Sequence, residues 1–258
     1  MRIAIIGTGA IASYVERSLA ATPHTIKAVL VRPERVQEAP GRFVGSISAL
    51  PDELEAVVDC AGHGALRDHG PAILERGLDL VSVSVGALAD AALSAKLEAA
   101  AMRGNTRLHL ASGAIGALDC LQSARVGTLD KVTYVGRKPP CGWKGSPAES
   151  VTNLDAMQSG AVTHFVGSAR DAALRYPRNA NVAAAVALAG VGFDSTEVRL
   201  IADADIRENV HEIRARGDFG AFQFRVCGKS LPDNPRSSAL AAMSVIAKLD
   251  QISRRIMP

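Results

Sequence analysis

Apolar residues fall into two textures along the chain. Residues 2–6 form an apolar run that stops at Gly7, the mark of a strand buried on both faces of a parallel sheet. Ile11, Val15 and Leu19 then recur at helical spacing and predict a helix over residues 10–20. Residues 25–31 and 56–60 repeat the strand texture on either side of a loop rich in Pro and Gly. Leu66, Ile73 and Leu74 support a second helix closed by Gly77. Residues 78–85 predict a strand, 90–102 an Ala-rich helix ending at Gly104, and 107–110 a further strand. Strands and helices alternating at these lengths predict a parallel sheet wound with helices.

The texture changes after Ser112. Residues 131–137 alternate as a half-exposed strand, and Lys138-Pro139-Pro140-Cys141-Gly142-Trp143 reads as an irregular loop. Residues 161–166 and 197–202 predict strands and 181–189 an apolar helix. Residues 209–216 and 219–226 resemble an antiparallel pair turning at Gly217-Asp218. A last amphipathic helix is predicted over 237–256, with Leu240, Met243, Ile246 and Leu249 in register and packed back on the first part. The expected organisation is a domain of residues 1–112 joined by 236–258, and a second, α+β domain of 113–235 with an open mixed or antiparallel sheet.

A length of 258 residues suits two such unequal domains. Hydrophobic residues at 48% and charged residues at 21% exclude a disordered chain. The balance of 29 Lys+Arg against 26 Asp+Glu comes without basic blocks, and aromatics are only 4%, which argues against a nucleic-acid partner. Cys60, Cys120, Cys141 and Cys227 form no CxxC pair, so neither a disulfide framework nor a metal site is expected. The apolar N-terminal run is too short for a signal peptide, and no segment reaches the roughly 18 apolar residues of a membrane span. The expectation is a soluble, cytoplasmic protein without a membrane partner.

Gly7-Thr8-Gly9-Ala10-Ile11-Ala12 is a GxGxxA run between the first strand and the first helix. Gly7 permits the tight turn, Gly9 lets the backbone approach a pyrophosphate, and Ala12 lets helix and strand pack closely. The amides of Ala10 and Ile11 would then face the anion. Such a turn can exist without a ligand, but its place between strand and helix selects dinucleotide binding and a Rossmann domain. The second strand runs out into Val31-Arg32-Pro33-Glu34-Arg35, where an acid usually grips the adenine ribose. Arg32 there fits either tolerance of a 2′-phosphate, hence NADP beside NAD, or a solvated loop. Cys60-Ala61-Gly62-His63-Gly64, Ser84-Val85-Gly86-Ala87 and Ser112-Gly113-Ala114-Ile115-Gly116 each follow a strand. Their small residues, Cys60 and Ala61 first among them, can line a cofactor pocket or simply pack tightly.

Of the six histidines (24, 63, 69, 109, 164 and 211), spacing selects none for proton transfer. His211 shares a strand face with Ile213 and Ala215, which is equally the setting of a packed core residue. Tyr176-Pro177-Arg178-Asn179-Ala180-Asn181-Val182-Ala183-Ala184 resembles the YPxNxNVAA segment of L-aspartate dehydrogenases. Arg137-Lys138-Pro139-Pro140 with Trp143, Asn209-Val210-His211-Glu212-Ile213, Gly217-Asp218-Phe219-Gly220 and Asn234-Pro235 follow that family's order, so the likeness spans nearly the whole chain. It implies oxidative deamination of L-aspartate with NAD or NADP, through iminoaspartate, to oxaloacetate and ammonium, as a feed into NAD biosynthesis. It implies His211 as the catalytic residue and Asn181 and Ala114 as cofactor contacts. The sequence departs from the family at Arg32, where some members carry an acid, and at His63, where others often carry Ser or Gln.

Arg137, Lys138 and Arg178 are candidates for a substrate carboxylate, with a solvated surface role as the alternative for each. A homodimer covering the open sheet of the second domain is expected. Two other functions fit the same build: a nicotinamide-dependent dehydrogenase or imine reductase of another amino or keto acid, and a cofactor-binding sensor without turnover.

Overall fold

The computed structural model describes residues 1–177, 179–231 and 234–256. The chain divides into two compact units, residues 1–111 with 241–258, and residues 112–240.

The first unit follows the alternation of its sequence. In chain order it contains β1 (Arg2–Ile6), α1 (Ala10–Leu19), β2 (Thr25–Leu30), β3 (Phe43–Val44), β4 (Ala56–Asp59), α2 (His63–Glu75), β5 (Asp79–Ser82), α3 (Ala91–Gly104) and β6 (Leu108–Leu110). The strands form one parallel sheet in the order β3-β2-β1-β4-β5-β6. Ile3, Ile5, Ala56, Val58 and Val81 fill its centre and are buried on both sides, which is why these stretches are continuously apolar. The register places Ile6, Leu30, Asp59, Ser82 and Leu110 in one row, so the turns after these strands leave from a single edge. Short β3 lies hidden in the Pro- and Gly-containing loop, where two residues carry no readable alternation.

The second unit contains α4 (Leu118–Ala124), β7 (Leu129–Lys138), β8 (Ala161–Ser168), α5 (Ala169–Arg175), α6 (Asn181–Ala189), β9 (Glu197–Asp203), β10 (Asn209–Gly217), β11 (Gly220–Gly228), β12 (Ser230–Leu231) and β13 (Asn234–Ser238). Its mixed sheet has the order β11-β10-β7-β9-β8, with β7 and β9 parallel and the other neighbours antiparallel. Val132 of β7 and Leu121 of α4 close on Gly190, at the end of α6, from the helical side of this sheet. On β10 the side chains of His211, Ile213 and Ala215 share one face by strand parity, opposite to Glu212 and Arg214.

Two expectations shift by a residue or a turn. The hairpin between β10 and β11 pairs Gly217 with Gly220, so its two loop residues are Asp218 and Phe219 rather than Gly217 and Asp218. A Cβ on Gly217 would lie 2.0 Å from the carbonyl oxygen of Thr128, so this glycine serves a close approach of backbones, not the turn. In α7 (Ala239–Ser253) the buried stripe is Ala242, Val245 and Leu249, while Leu240 and Met243 stay exposed. Apolar residues on several sides of this helix leave its rotation unreadable, and small Ala242 takes the inner place. Val245 and Leu249 join Ile3, Ile5 and Val15 in the core of the first unit.

Candidate active site

The glycine turn sits at the point where the strand order reverses, between β1 and β4. Gly7 has φ +89°, and a Cβ there would lie 2.9 Å from the Cβ of Ala61. Glycine is therefore required twice over, for the backbone conformation and for the approach of the turn after β4. Gly9 leads into α1 without any side-chain cap, and nothing lies within 4 Å of where its Cβ would be. Free amides at the start of α1, Ala10 and Ile11 included, above open space fit a pyrophosphate. A cavity of about 200 Å³ opens beside Gly7 and Thr8, between α1 and Val29 of β2.

The turn after β4 is pinned by a carboxylate that belongs to none of the motifs in the sequence. Asp59 is fully buried. Its Oδ1 accepts from the amide of Ala61 at 2.9 Å, and its Oδ2 accepts from Ser82 Oγ at 2.7 Å and Ser84 Oγ at 2.6 Å. One side chain thus fixes the turns after β4 and β5. The signal was present: a lone acid closing the apolar run Ala-Val-Val-Asp. Cys60 packs against the core of this unit, and burial pushes its thiol well above the ordinary range. The backbone of Cys60 is therefore what it can offer a ligand.

At the end of β2, Arg32 is exposed; its carbonyl accepts from the Arg35 amide at 2.9 Å, and its guanidinium bonds no described residue. Arg35 is the guanidinium that reaches the glycine turn: its Nη1 donates to Thr8 Oγ1 at 2.7 Å, while Nε and Nη2 hold Glu38. His63 opens α2 after Gly62, which has φ +94°.

In the second unit, Ala114 is buried in the turn that precedes α4, beside Gly113 with φ +72°. Asn181 is the first residue of α6, whose N-terminus has no side-chain cap. Arg178 lies outside the described residues.

His211 stands directly opposite Gly136 across the β10–β7 pair, with Tyr134 and Lys138 two residues to either side of Gly136 on the same face. Tyr134 and His211 bond through Oη and Nδ1 at 2.7 Å, and their rings stack at 15°. Nε2 of His211 bonds no described residue, so it is the nitrogen left for other chemistry. Burial, and then the neighbouring Lys138 ammonium, push the imidazole down to about 3. The ring is therefore neutral at physiological pH, not poised at its ordinary value near 6.5. Tyr134 is itself fully buried, and burial holds its hydroxyl protonated far into the alkaline range. Asn209 is buried two residues before His211 on the same face.

The candidate carboxylate ligands separate. Arg137 points to the opposite face and pairs with Asp203 at 2.8 Å. Lys138 is buried beside Trp143, with its Nζ 5.2 Å from the ring centroid. Trp143 is fully buried, donates from Nε1 to the Ile201 carbonyl at 2.9 Å, and meets the edge of His164 at a centroid distance of 4.4 Å. The Asn179 side chain reaches the Gly142 carbonyl at 3.3 Å, tying the Tyr-Pro segment to the Trp143 loop.

The chain resembles known proteins along nearly its whole length. Residues 119–252 match the family described as aspartate dehydrogenase, C-terminal, and residues 7–111 match that described as homoserine dehydrogenase, NAD binding domain. An L-aspartate dehydrogenase of Ruegeria pomeroyi is 52% identical over 100% of this chain and 94% of its own length. One from Pseudomonas aeruginosa is 44% identical over 96% of each chain. The crystal structure of aspartate dehydrogenase from Thermotoga maritima superposes with a TM-score of 0.79 at 25% identity, covering 100% of this chain and 99% of that one.

Proposed function

The chain belongs to the aspartate dehydrogenase family, and from this premise we infer how its residues carry out the oxidative deamination of L-aspartate with NAD or NADP. The products are oxaloacetate, ammonium and the reduced coenzyme. The match to the R. pomeroyi enzyme along the whole chain carries the substrate assignment.

The first unit holds the coenzyme. The uncapped start of α1 at Gly9, Ala10 and Ile11 receives the pyrophosphate, and the Cys60-Ala61 turn, held by Asp59, forms the wall beside it. Ala114 and Asn181 are carried over from the family resemblance as coenzyme contacts. When bound, the nicotinamide supplies the acceptor for the hydride of the aspartate Cα.

His211 acts as the general base. Its neutral ring offers Nε2 to the substrate amine, or to the water that attacks the iminoaspartate carbon. Once Nε2 takes a proton both ring nitrogens are donors, and the Nδ1–H bond is accepted by Tyr134 Oη. Tyr134 thus fixes the ring and supports its charged form. Negative charge brought near the ring by the substrate carboxylates would raise its proton affinity, against the burial and the Lys138 charge that lower it.

The protein works as a homodimer that covers the outer face of the mixed sheet. That face carries exposed Val166 among charges paired within it, Lys131 and Arg199 with Glu197 and Arg214 with Glu212. Apolar contacts rimmed by balanced charges suit a self-complementary interface. No helix among the described residues is long and apolar enough to cross a membrane. The cytoplasm is the proposed compartment, where thiols such as the free Cys120, Cys141 and Cys227 stay reduced.

The test is oxidation of NADH and NADPH with oxaloacetate plus ammonia, against a panel of other keto acids. Preference for oxaloacetate is expected; faster turnover of a monocarboxylic keto acid would contradict the reading.

A further inference from the structure

Lys138 is an unusual residue for its surroundings. It ends β7 on the His211 face and is 7% exposed, yet no described carboxylate or carbonyl bonds its ammonium. Buried ammonium groups are nearly always paired, because an unpaired charge in a poorly polarisable interior is costly. Its stem is clamped: a Cβ on Gly142 would lie 3.1 Å from the Lys138 Cβ and 3.3 Å from its Cδ. Glycine at 142 therefore leaves the space in which the lysine lies. The head group sits 5.2 Å from the Trp143 ring centroid, a favourable cation–π contact that carries no countercharge.

We propose that Lys138 is the fixed cation that receives a carboxylate of the dicarboxylic substrate beside His211. The proposal rests on the aspartate dehydrogenase reading, which supplies the dicarboxylate. Lys138 lies two residues along β7 from Gly136, the direct cross-strand partner of His211. A carboxylate on the ammonium would thus hold the amine-bearing carbon of a four-carbon diacid within reach of this histidine. Arg137, the neighbouring cation, cannot compete, since it occupies the other face and is already paired with Asp203. The burial that pushes Lys138 down to about 8 still leaves it charged at neutral pH. A preorganised, dehydrated cation binds an anion more strongly than a solvated one, because little order is lost on binding.

The experiment compares the full-length wild type with Lys138→Met and Lys138→Arg. Binding of succinate, an unreactive four-carbon diacid, is measured by calorimetry in the presence of NADH. Butyrate serves as the control with one carboxylate fewer. Trp143 is the only tryptophan of the chain, so its emission reports whether the diacid arrives beside Lys138. The wild type should bind succinate with a change in Trp143 emission and bind butyrate far more weakly. Lys138→Met should weaken succinate about 10- to 100-fold, the loss of one charge-assisted bond, and raise the KM for oxaloacetate to match. NADH affinity should not change. Lys138→Arg keeps the charge and should recover part of the loss.

Methionine matches the lysine stem in volume and removes a buried charge, so the Met variant should fold at least as well as the wild type. Wild-type affinity for succinate and an unchanged KM in Lys138→Met would overturn the proposal, as would a wild type that does not bind succinate. Turnover of oxaloacetate plus ammonia by the wild type is read separately. Its absence would remove the aspartate reading, while the succinate comparison would still decide whether Lys138 is an anion site.

Discussion

Tyr134 Oη lies 2.7 Å from His211 Nδ1, and the residue between Tyr134 and Lys138 on that strand face is Gly136, directly opposite the histidine. A Cβ on Gly136 would meet the Tyr134 hydroxyl at 2.7 Å and Leu200 Cδ2 at 3.3 Å. The missing side chain is what lets the tyrosine lie along the strand and reach the ring.

Gly136→Ala should therefore act at a distance of one contact from the histidine. The added methyl must displace the Tyr134 ring or strain it, which costs about 1–3 kcal/mol of stability. It should lower kcat while leaving coenzyme affinity intact. Tyr134→Phe keeps the packing but leaves a buried ring nitrogen without its partner, at about 1–3 kcal/mol. Its kcat should fall and the acidic limb of its pH–rate profile should move, which steady-state kinetics across pH would record. An unmoved profile in Tyr134→Phe would show that the bond only packs the ring.

Two buried histidines predict acid sensitivity. Burial pushes His164 down to about 4 and His211 to about 3, against about 6.5 for an unfolded chain. The unfolded state then binds more protons than the folded one between these values and pH 6.5. Stability is complete above about pH 6.5 and is lost as pH falls toward 4 and then 3. Each tenfold difference in proton affinity between the two states is worth roughly 1.4 kcal/mol, so the loss amounts to several kcal/mol. Thermal melts from pH 7.5 to 4.5 should show a steadily falling Tm, less steep in His164→Phe. A flat Tm would contradict the burial of neutral rings.

Asp59 predicts coupling between stability and coenzyme binding. Asp59→Ala would leave the Ala61 amide and the Ser82 and Ser84 hydroxyls without their acceptor inside the first unit. Several kcal/mol of destabilisation, about 1–3 for each orphaned donor, and a raised Kd for NADH are expected in chemical denaturation and fluorescence titration. Asp59→Asn keeps an oxygen acceptor and should recover part of both.

For the coenzyme, Arg32→Ala and Arg35→Ala should each weaken NADP more than NAD, since a guanidinium gains most from a 2′-phosphate. Arg35→Ala should also weaken NAD slightly, because Arg35 steadies Thr8 in the glycine turn. Equal loss of both coenzymes in Arg32→Ala would mark it as a solvated loop residue.

Much of this layout was readable in the chain before folding. After their polar first residues, the strand Arg2–Ile6 and the helix Asn181–Ala189 are unmixed apolar runs, and both elements end where those runs end. The glycine turn was readable because its chemistry is local: Gly7, Gly9 and Ala12 act within one strand–turn–helix unit. The surroundings of His211 were not. Tyr134, Gly136 and Lys138 meet it only through a register linking strands more than 70 residues apart, and register is not written in either strand alone. Short α4 and α5 are illegible for a different reason, since seven residues give too few turns for helical periodicity to show. The rotation of α7 is not written in its large apolar residues, because Ala242 faces the core.

The most direct measurement is the steady-state kinetics of His211→Ala with L-aspartate and with oxaloacetate plus ammonia, beside its Kd for NADH. The account predicts a fall in kcat of about 10²–10⁴-fold with coenzyme affinity near that of the wild type. A variant that turns over at nearly the wild-type rate would contradict it.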